Sequence, residues 1–162
     1  MQERMIETVA IPDERKAVVI GKNGSTKKAI EQKTHTTLTL NEVVEIAGDS
    51  LDVLTAREVV KAIGRGFSPH RALLLCNEDY QLYLVSLSLT PKSLRTVKAR
   101  IIGRGGRTRK KIETYTGAYV SVYGKTIGLI GTYEQIAKAK TAVTMLLEGK
   151  PHAAVYRWLA QK

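Results

Sequence analysis

Two short stretches, GKNG (21–24) and GRGG (103–106), each set glycines and a basic side chain ahead of a helix-forming run. Glycine admits positive φ and leaves room for a second backbone to approach. The first amides of the following helix have no partner within it, and their shared partial charge makes an anion site. Phosphate recognition is the chemistry this implies. Gly103, Arg104, Gly105 and Gly106 are the primary candidates, with Gly21, Lys22, Asn23 and Gly24 as the weaker equivalent.

The residues after GRGG strengthen the reading. Arg107, Arg109, Lys110 and Lys111 crowd positive charge into the opening turns of a helix. That end already carries a positive dipole and disfavours cations. A phosphate there would satisfy the dipole, the loop amides and the basic side chains together. Arg107, Lys110 and Lys111 share a face by their spacing. Lys98 and Arg100 precede the second loop, and Lys27 and Lys28 follow the first, so these join the candidate contacts.

Charge places the partner. The 162 residues carry a net +11, but residues 1–80 hold 11 Lys/Arg against 12 Asp/Glu, whereas 81–162 hold 15 against 3. All of the excess lies in the second half, which is the pattern of a polyanion-binding surface. Other chemistries find little support. His35, His70 and His152 are isolated, and Cys76 is the single cysteine, so no zinc site, disulfide or other metal centre is expected. No GxxxxGK[ST] occurs, and the second half has only Glu113, Glu134 and Glu148 as carboxylates, so neither catalysis nor a cofactor is expected. No apolar run approaches the roughly 20 residues of a membrane span, and MQERMIETVAIPDE lacks a signal-peptide core, so no membrane contact and a cytoplasmic location are expected.

The elements that position the two loops are themselves repeated. VVIGKNGSTKKAIEQKTHTTLTL (18–40) aligns without a gap on RIIGRGGRTRKKIETYTGAYVSV (100–122) at an offset of 82. Gly21/Gly103, Gly24/Gly106, Thr26/Thr108, Ile30/Ile112, Glu31/Glu113 and Thr34/Thr116 are among the identical pairs. Two copies of one domain follow. In the first, IETVAI (6–11) reads as a strand, Glu14–Ile20 as a short helix, and Ser25–Thr34 as a second helix capped by Ser25 or Thr26. Residues 34–40 and 43–48 read as paired strands, and Leu51–Ile63 as a long helix with Leu54, Val59, Val60 and Ile63 on its buried face. The second copy repeats the order with a strand at 83–89, helices at 92–102 and 108–116, a hairpin at 118–131 and a long helix at 133–147. Ile20, Ile30, Ile102 and Ile112 read as core, with base contact as the alternative, and Tyr115, Tyr119 and Tyr123 as packing residues, with stacking on bases as the alternative. The expected boundaries are 1–68 for the first domain, 69–80 for a connector, 81–149 for the second domain and 150–162 for a C-terminal helix.

In this order the chain resembles the K-homology (KH) family, whose signature VIGKNGSTKKAI (19–30) and IIGRGGRTRKKI (101–112) match over copies covering about 140 residues. Lys27 and Arg109 depart from it, standing where the usual pattern has an apolar residue. That variant, with the tail LLEGKPHAAVYRWL (146–159), is similar to the KH proteins of small-subunit ribosome assembly, in particular archaeal counterparts of the factor called partner of Nob. GKNG is intact where eukaryotic members are degenerate, so an archaeal member is expected. The resemblance implies an α+β fold of two tandem type I KH domains (βααββα), each a three-stranded sheet packed against three helices. It implies non-catalytic binding of single-stranded RNA near the 3′ end of small-subunit ribosomal RNA, in support of subunit maturation. The Nob endonuclease or another assembly or translation factor would be the protein partner. The alternatives are a KH adaptor for RNA decay, a general single-strand binder, or a protein-interaction scaffold. Exosome caps of the first kind add an S1 barrel, and no run of five short strands exists here. The near-neutral first copy also suits contact with a basic protein through acidic residues such as Glu42 and Glu45.

Overall fold

The computed structural model describes residues 3–161. The chain runs β1 (Arg4–Val9), α1 (Asp13–Ile20), α2 (Ser25–Thr34), β2 (Thr37–Leu40), β3 (Val44–Asp49), α3 (Ser50–Gly64) and a short α4 (Pro69–Ala72). It continues β4 (Gln81–Ser86), α5 (Pro91–Ile102), α6 (Arg107–Thr116), β5 (Tyr119–Tyr123), β6 (Thr126–Gly131), α7 (Tyr133–Leu147) and α8 (His152–Leu159). The βααββα order therefore occurs twice, in an α+β architecture. The chain divides into two compact units after Glu78.

Each unit holds one antiparallel three-stranded sheet, ordered β1-β3-β2 in the first and β4-β6-β5 in the second. The hairpin strand that leads into the long helix is thus central. Register is set by alternation: Leu38 opposes Ile46 across β2 and β3, and both are buried. Helices pack their apolar stripes on this sheet. In the first unit Val53, Ala56, Val59, Val60, Ala62 and Ile63 of α3 are fully buried with Val19 and Ile30. In the second, Ile101, Ile112, Val120, Ile127, Leu129, Ala139 and Leu146 form the equivalent core. Each fully buried Val, Leu or Ile side chain contributes about 1.5–3 kcal/mol.

The identical pairs of the repeat turn out to be structural rivets. Thr34 and Thr116 each donate to the carbonyl four residues back, Ile30 and Ile112, at 2.7 Å. Glu31 and Glu113 each accept from a strand amide seven residues on, Leu38 and Val120, at 2.9 Å. These carboxylates lock the second helix of each unit onto the edge strand that follows it.

Three local expectations are corrected. Leu54 is 36% exposed, because the buried stripe of α3 falls on Val53 and Ala56 to either side of it. Residues 34–36 are not strand: Thr34 ends α2, and His35 takes a left-handed conformation (φ 56°) that terminates the helix before β2. Neither Ser25 nor Thr26 caps α2; Gly24 occupies the cap position with no side-chain hydrogen bond. Residues 64–76 fold against the first unit. Phe67 and Leu75 are buried there, and the Arg15 guanidinium of α1 donates to the carbonyls of Ile63 and Phe67 at 2.7 and 2.9 Å.

Candidate nucleic-acid interface

Both loops are built the same way. The last amide of the preceding helix turns onto a glycine at positive φ, Gly21 (72°) or Gly103 (76°), and a single 3₁₀ turn leads into the next helix. The two glycine types in each loop have different jobs. A Cβ on Gly103 would stand 2.2 Å from Thr108 Oγ1, and one on Gly21 equally close to Thr26 Oγ1, so these positions let two helices touch. Gly24, Gly105 and Gly106 are also at positive φ, but their missing side chains face open space, where another molecule's backbone can come close. Asn23 (φ 55°) holds the first-loop place of Gly105, consistent with the tolerance of asparagine for left-handed backbone.

The helix starts beyond the loops are left open. Neither α2 nor α6 has a side-chain cap or an acidic residue in its first turn. By contrast α5 is capped by Thr90, and α7 carries a full capping box of Thr132 and Gln135. The 3₁₀ turn takes up the amides of Gly106 and Arg107, bonded to the Gly103 and Arg104 carbonyls, but no side chain caps the helix and no acid offsets its dipole at the loop.

The second loop gathers most of the expected basic residues. Arg104, Gly105, Arg107, Lys110 and Lys111 line a cleft of about 500 Å³ with Thr114 and Tyr115. Tyr115 is 44% exposed at its rim. Gly103, Arg104 and Arg107 also line a second cleft of about 610 Å³, on the side of α8. Arg109 is exposed on α6 but lines neither cleft, and Lys98 is half-buried on α5 outside both. Arg100 has a structural duty: its guanidinium donates to the carbonyls of Leu146 and Lys150, tying α5 to the end of α7. In the first unit Lys22, Asn23 and Lys28 are exposed, while Lys27 is drawn to Glu31 at 3.5 Å.

The four isoleucines separate into two classes. Ile30 and Ile112 are fully buried, as expected. Ile20 is 39% exposed and Ile102 is only half-buried, so the expectation of core fails for this pair. The preceding residues, Val19 and Ile101, take the core positions instead. An apolar side chain thus sits on the surface just before each loop, where it can meet the face of a base.

Two residues on α8 escaped the sequence reading. Tyr156 places its hydroxyl 2.8 Å from Thr108 Oγ1, and the Lys111 ammonium lies 4.8 Å over its ring. His152 Nε2 lies 2.9 Å from the Arg100 carbonyl. Their spacing of four, on a stripe next to the apolar Val155 and Leu159, was the available signal.

Comparison with known proteins places the fold in a family. A family model described as eukaryotic-type KH domain (KH-domain type I) matches residues 83–162, and a KH-domain model matches 6–62. A KH domain-containing protein of Methanocaldococcus jannaschii is 41% identical over 99% of this chain and 75% of its own length. RNA-binding protein pno1 of Ixodes scapularis is 32% identical over 65% of the chain, which spans 47% of that relative. Among solved structures, Dim2p from Pyrococcus horikoshii superposes with a TM-score of 0.89 at 46% identity, covering 98% of this chain and 99% of the other. A chain of the a/eIF2alpha–aDim2p–rRNA complex from the same organism gives 0.90 at 48%, covering 96% and 92%.

Proposed function

The chain belongs to the Dim2/PNO1-type family of KH-domain proteins, and on that premise we propose that it is a non-catalytic binder of single-stranded ribosomal RNA. It holds small-subunit RNA near the 3′ end during subunit maturation in the cytoplasm, with a Nob-type endonuclease or a translation factor as protein partner. The observation that carries the reading is the start of α6: uncapped, free of acid, opened by three positive-φ glycines and ringed by Arg104, Arg107, Lys110 and Lys111. A phosphodiester fits every one of those features. Ribosomal RNA is supported as the source because a relative was crystallised with rRNA, and a translation-factor partner because the same crystal contains a/eIF2alpha.

The residues divide the work. Exposed guanidinium and ammonium groups draw the strand in over the range of the Debye length, about 8 Å at physiological salt. Loop amides then fix the phosphates, and about four nucleotides lie along the groove with bases against Ile102. Replacing Arg104 and Gly105 by aspartate puts two carboxylates where phosphates sit, and should weaken RNA binding by about 100-fold in a filter or anisotropy assay. The same change at Lys22 and Asn23 should cost less than about tenfold, because the first unit has no charge excess. Undiminished binding by the first variant sinks the function; equal losses from both sink the asymmetry. Crosslinking to cellular RNA, with the sites sequenced, tests the 3′-end location.

A further inference from the structure

We propose that the cleft between α5, α6 and α8 is a second nucleotide subsite, on the far side of the GRGG loop from Ile102, which takes the RNA nucleotide flanking those in the groove. The proposal rests on the RNA-binding reading and extends its footprint.

The two sides of α5 are distinct. Thr96, Ala99, Arg100 and Gly103 recur at steps of three and four and wall the cleft together. Ile102 is one residue from Gly103 and therefore about 100° around the helix. Arg104 and Arg107 line the clefts on both sides of the loop. A phosphodiester leaving the groove across the loop stays within reach of the same two guanidiniums. The cleft has about 610 Å³, and its lining includes no carboxylate. Volumes of roughly 300–1,000 Å³ are usual for small-ligand sites.

The opposite wall is Tyr156 with His152, and both are held in place. The Tyr156 hydroxyl engages Thr108, which is itself 1% exposed beneath the loop, and Lys111 covers part of the ring. Because a carbonyl can only accept, the His152 Nε2–H donates to Arg100. An aromatic ring whose orientation is already set loses little entropy when a base packs on it. Arginines for the phosphate, a fixed ring for the base and the exposed Thr96 hydroxyl for the sugar make one nucleotide's worth of contacts. The ring arrives on α8, which follows the last element of the repeated unit, so only the second copy is completed in this way.

The test uses the full chain and two single-stranded RNAs, a tetranucleotide and an octanucleotide that carries the same four bases at its centre. Ala99→Glu places a carboxylate on the exposed cleft wall in a residue type that favours helix, and Thr96→Glu serves as an independent second variant. Wild-type protein should bind the octanucleotide about tenfold more tightly than the tetranucleotide, as expected for one added stacked nucleotide. Both variants should lose that gain while keeping tetranucleotide affinity within about twofold, since separate sites act additively. The subsite is overturned if the wild type shows no gain, if the gain survives in both variants, or if both RNAs weaken alike. Wild-type protein that binds neither RNA overturns the underlying RNA-binding reading as well.

Discussion

At the scale of single residues, the loop glycines are not interchangeable. Gly103 suffers twice from a side chain: its φ of 76° is left-handed, and the new Cβ would collide with Thr108 Oγ1. Gly24 and Gly106 have left-handed φ but open space. Left-handed strain alone costs about 1–2 kcal/mol, and a forced shift of packed groups adds about 1–3 kcal/mol. Gly103→Ala should therefore destabilise the second unit by about 3 kcal/mol in urea unfolding, and Gly106→Ala by about 1–2 kcal/mol. Equal values would mean that the close approach of α5 and α6 does not matter. Residue chemistry was only partly legible in the sequence. Gly21 and Gly103 stand out by repetition, yet nothing in their type separates a packing glycine from an open one. Ile102 was misread for a related reason: hydrophobicity identifies it as apolar, but a step of one residue along a helix decides between core and surface.

At the scale of elements, the order and most boundaries were visible, because periodicity and turn residues act locally. Ser25–Thr34, Thr126–Gly131 and Tyr133–Leu147 occur where the pattern puts them. Capping was less visible. Ser25 looked like a cap, but the left-handed Gly24 holds the cap position, with no side-chain hydrogen bond to the first turn. α8 shows how an added element can act on a loop distant in sequence. Val155 and Leu159 bury it against α7, while Tyr156 braces Thr108 beneath the loop. Leu159→Ala deletes a fully packed side chain and should lower stability by about 2–4 kcal/mol. Hydrogen exchange should then speed up at α8 and at Thr108 together, which would not happen if α8 merely covered the surface.

At the scale of the molecule, the decisive property is the imbalance of charge. The residues from 81 onward carry a net +12 within the total of +11, so binding should be dominated by the second unit and should release counterions. For single strands the slope of log affinity against log salt is about −0.7 per phosphate contact. With three to five contacts at the loop and α6, a slope of about −2 to −3.5 is expected between low and physiological salt. The Arg104, Gly105 double aspartate should flatten it, and the Lys22, Asn23 variant should leave it nearly unchanged. A protein-interaction scaffold would bind RNA with no such slope.

The sequence by itself determined the duplication, the two glycine loops, the α+β order of elements and the half of the chain that carries the excess positive charge. All of these depend on local spacing or on counting. Only the tertiary structure decided that Ile20 and Ile102 reach the surface, that Arg100 is engaged with two carbonyls about 50 residues away, and that Tyr156 stands behind the loop. Periodicity tells which residues share a face, but what that face meets is set by packing between segments far apart in the chain.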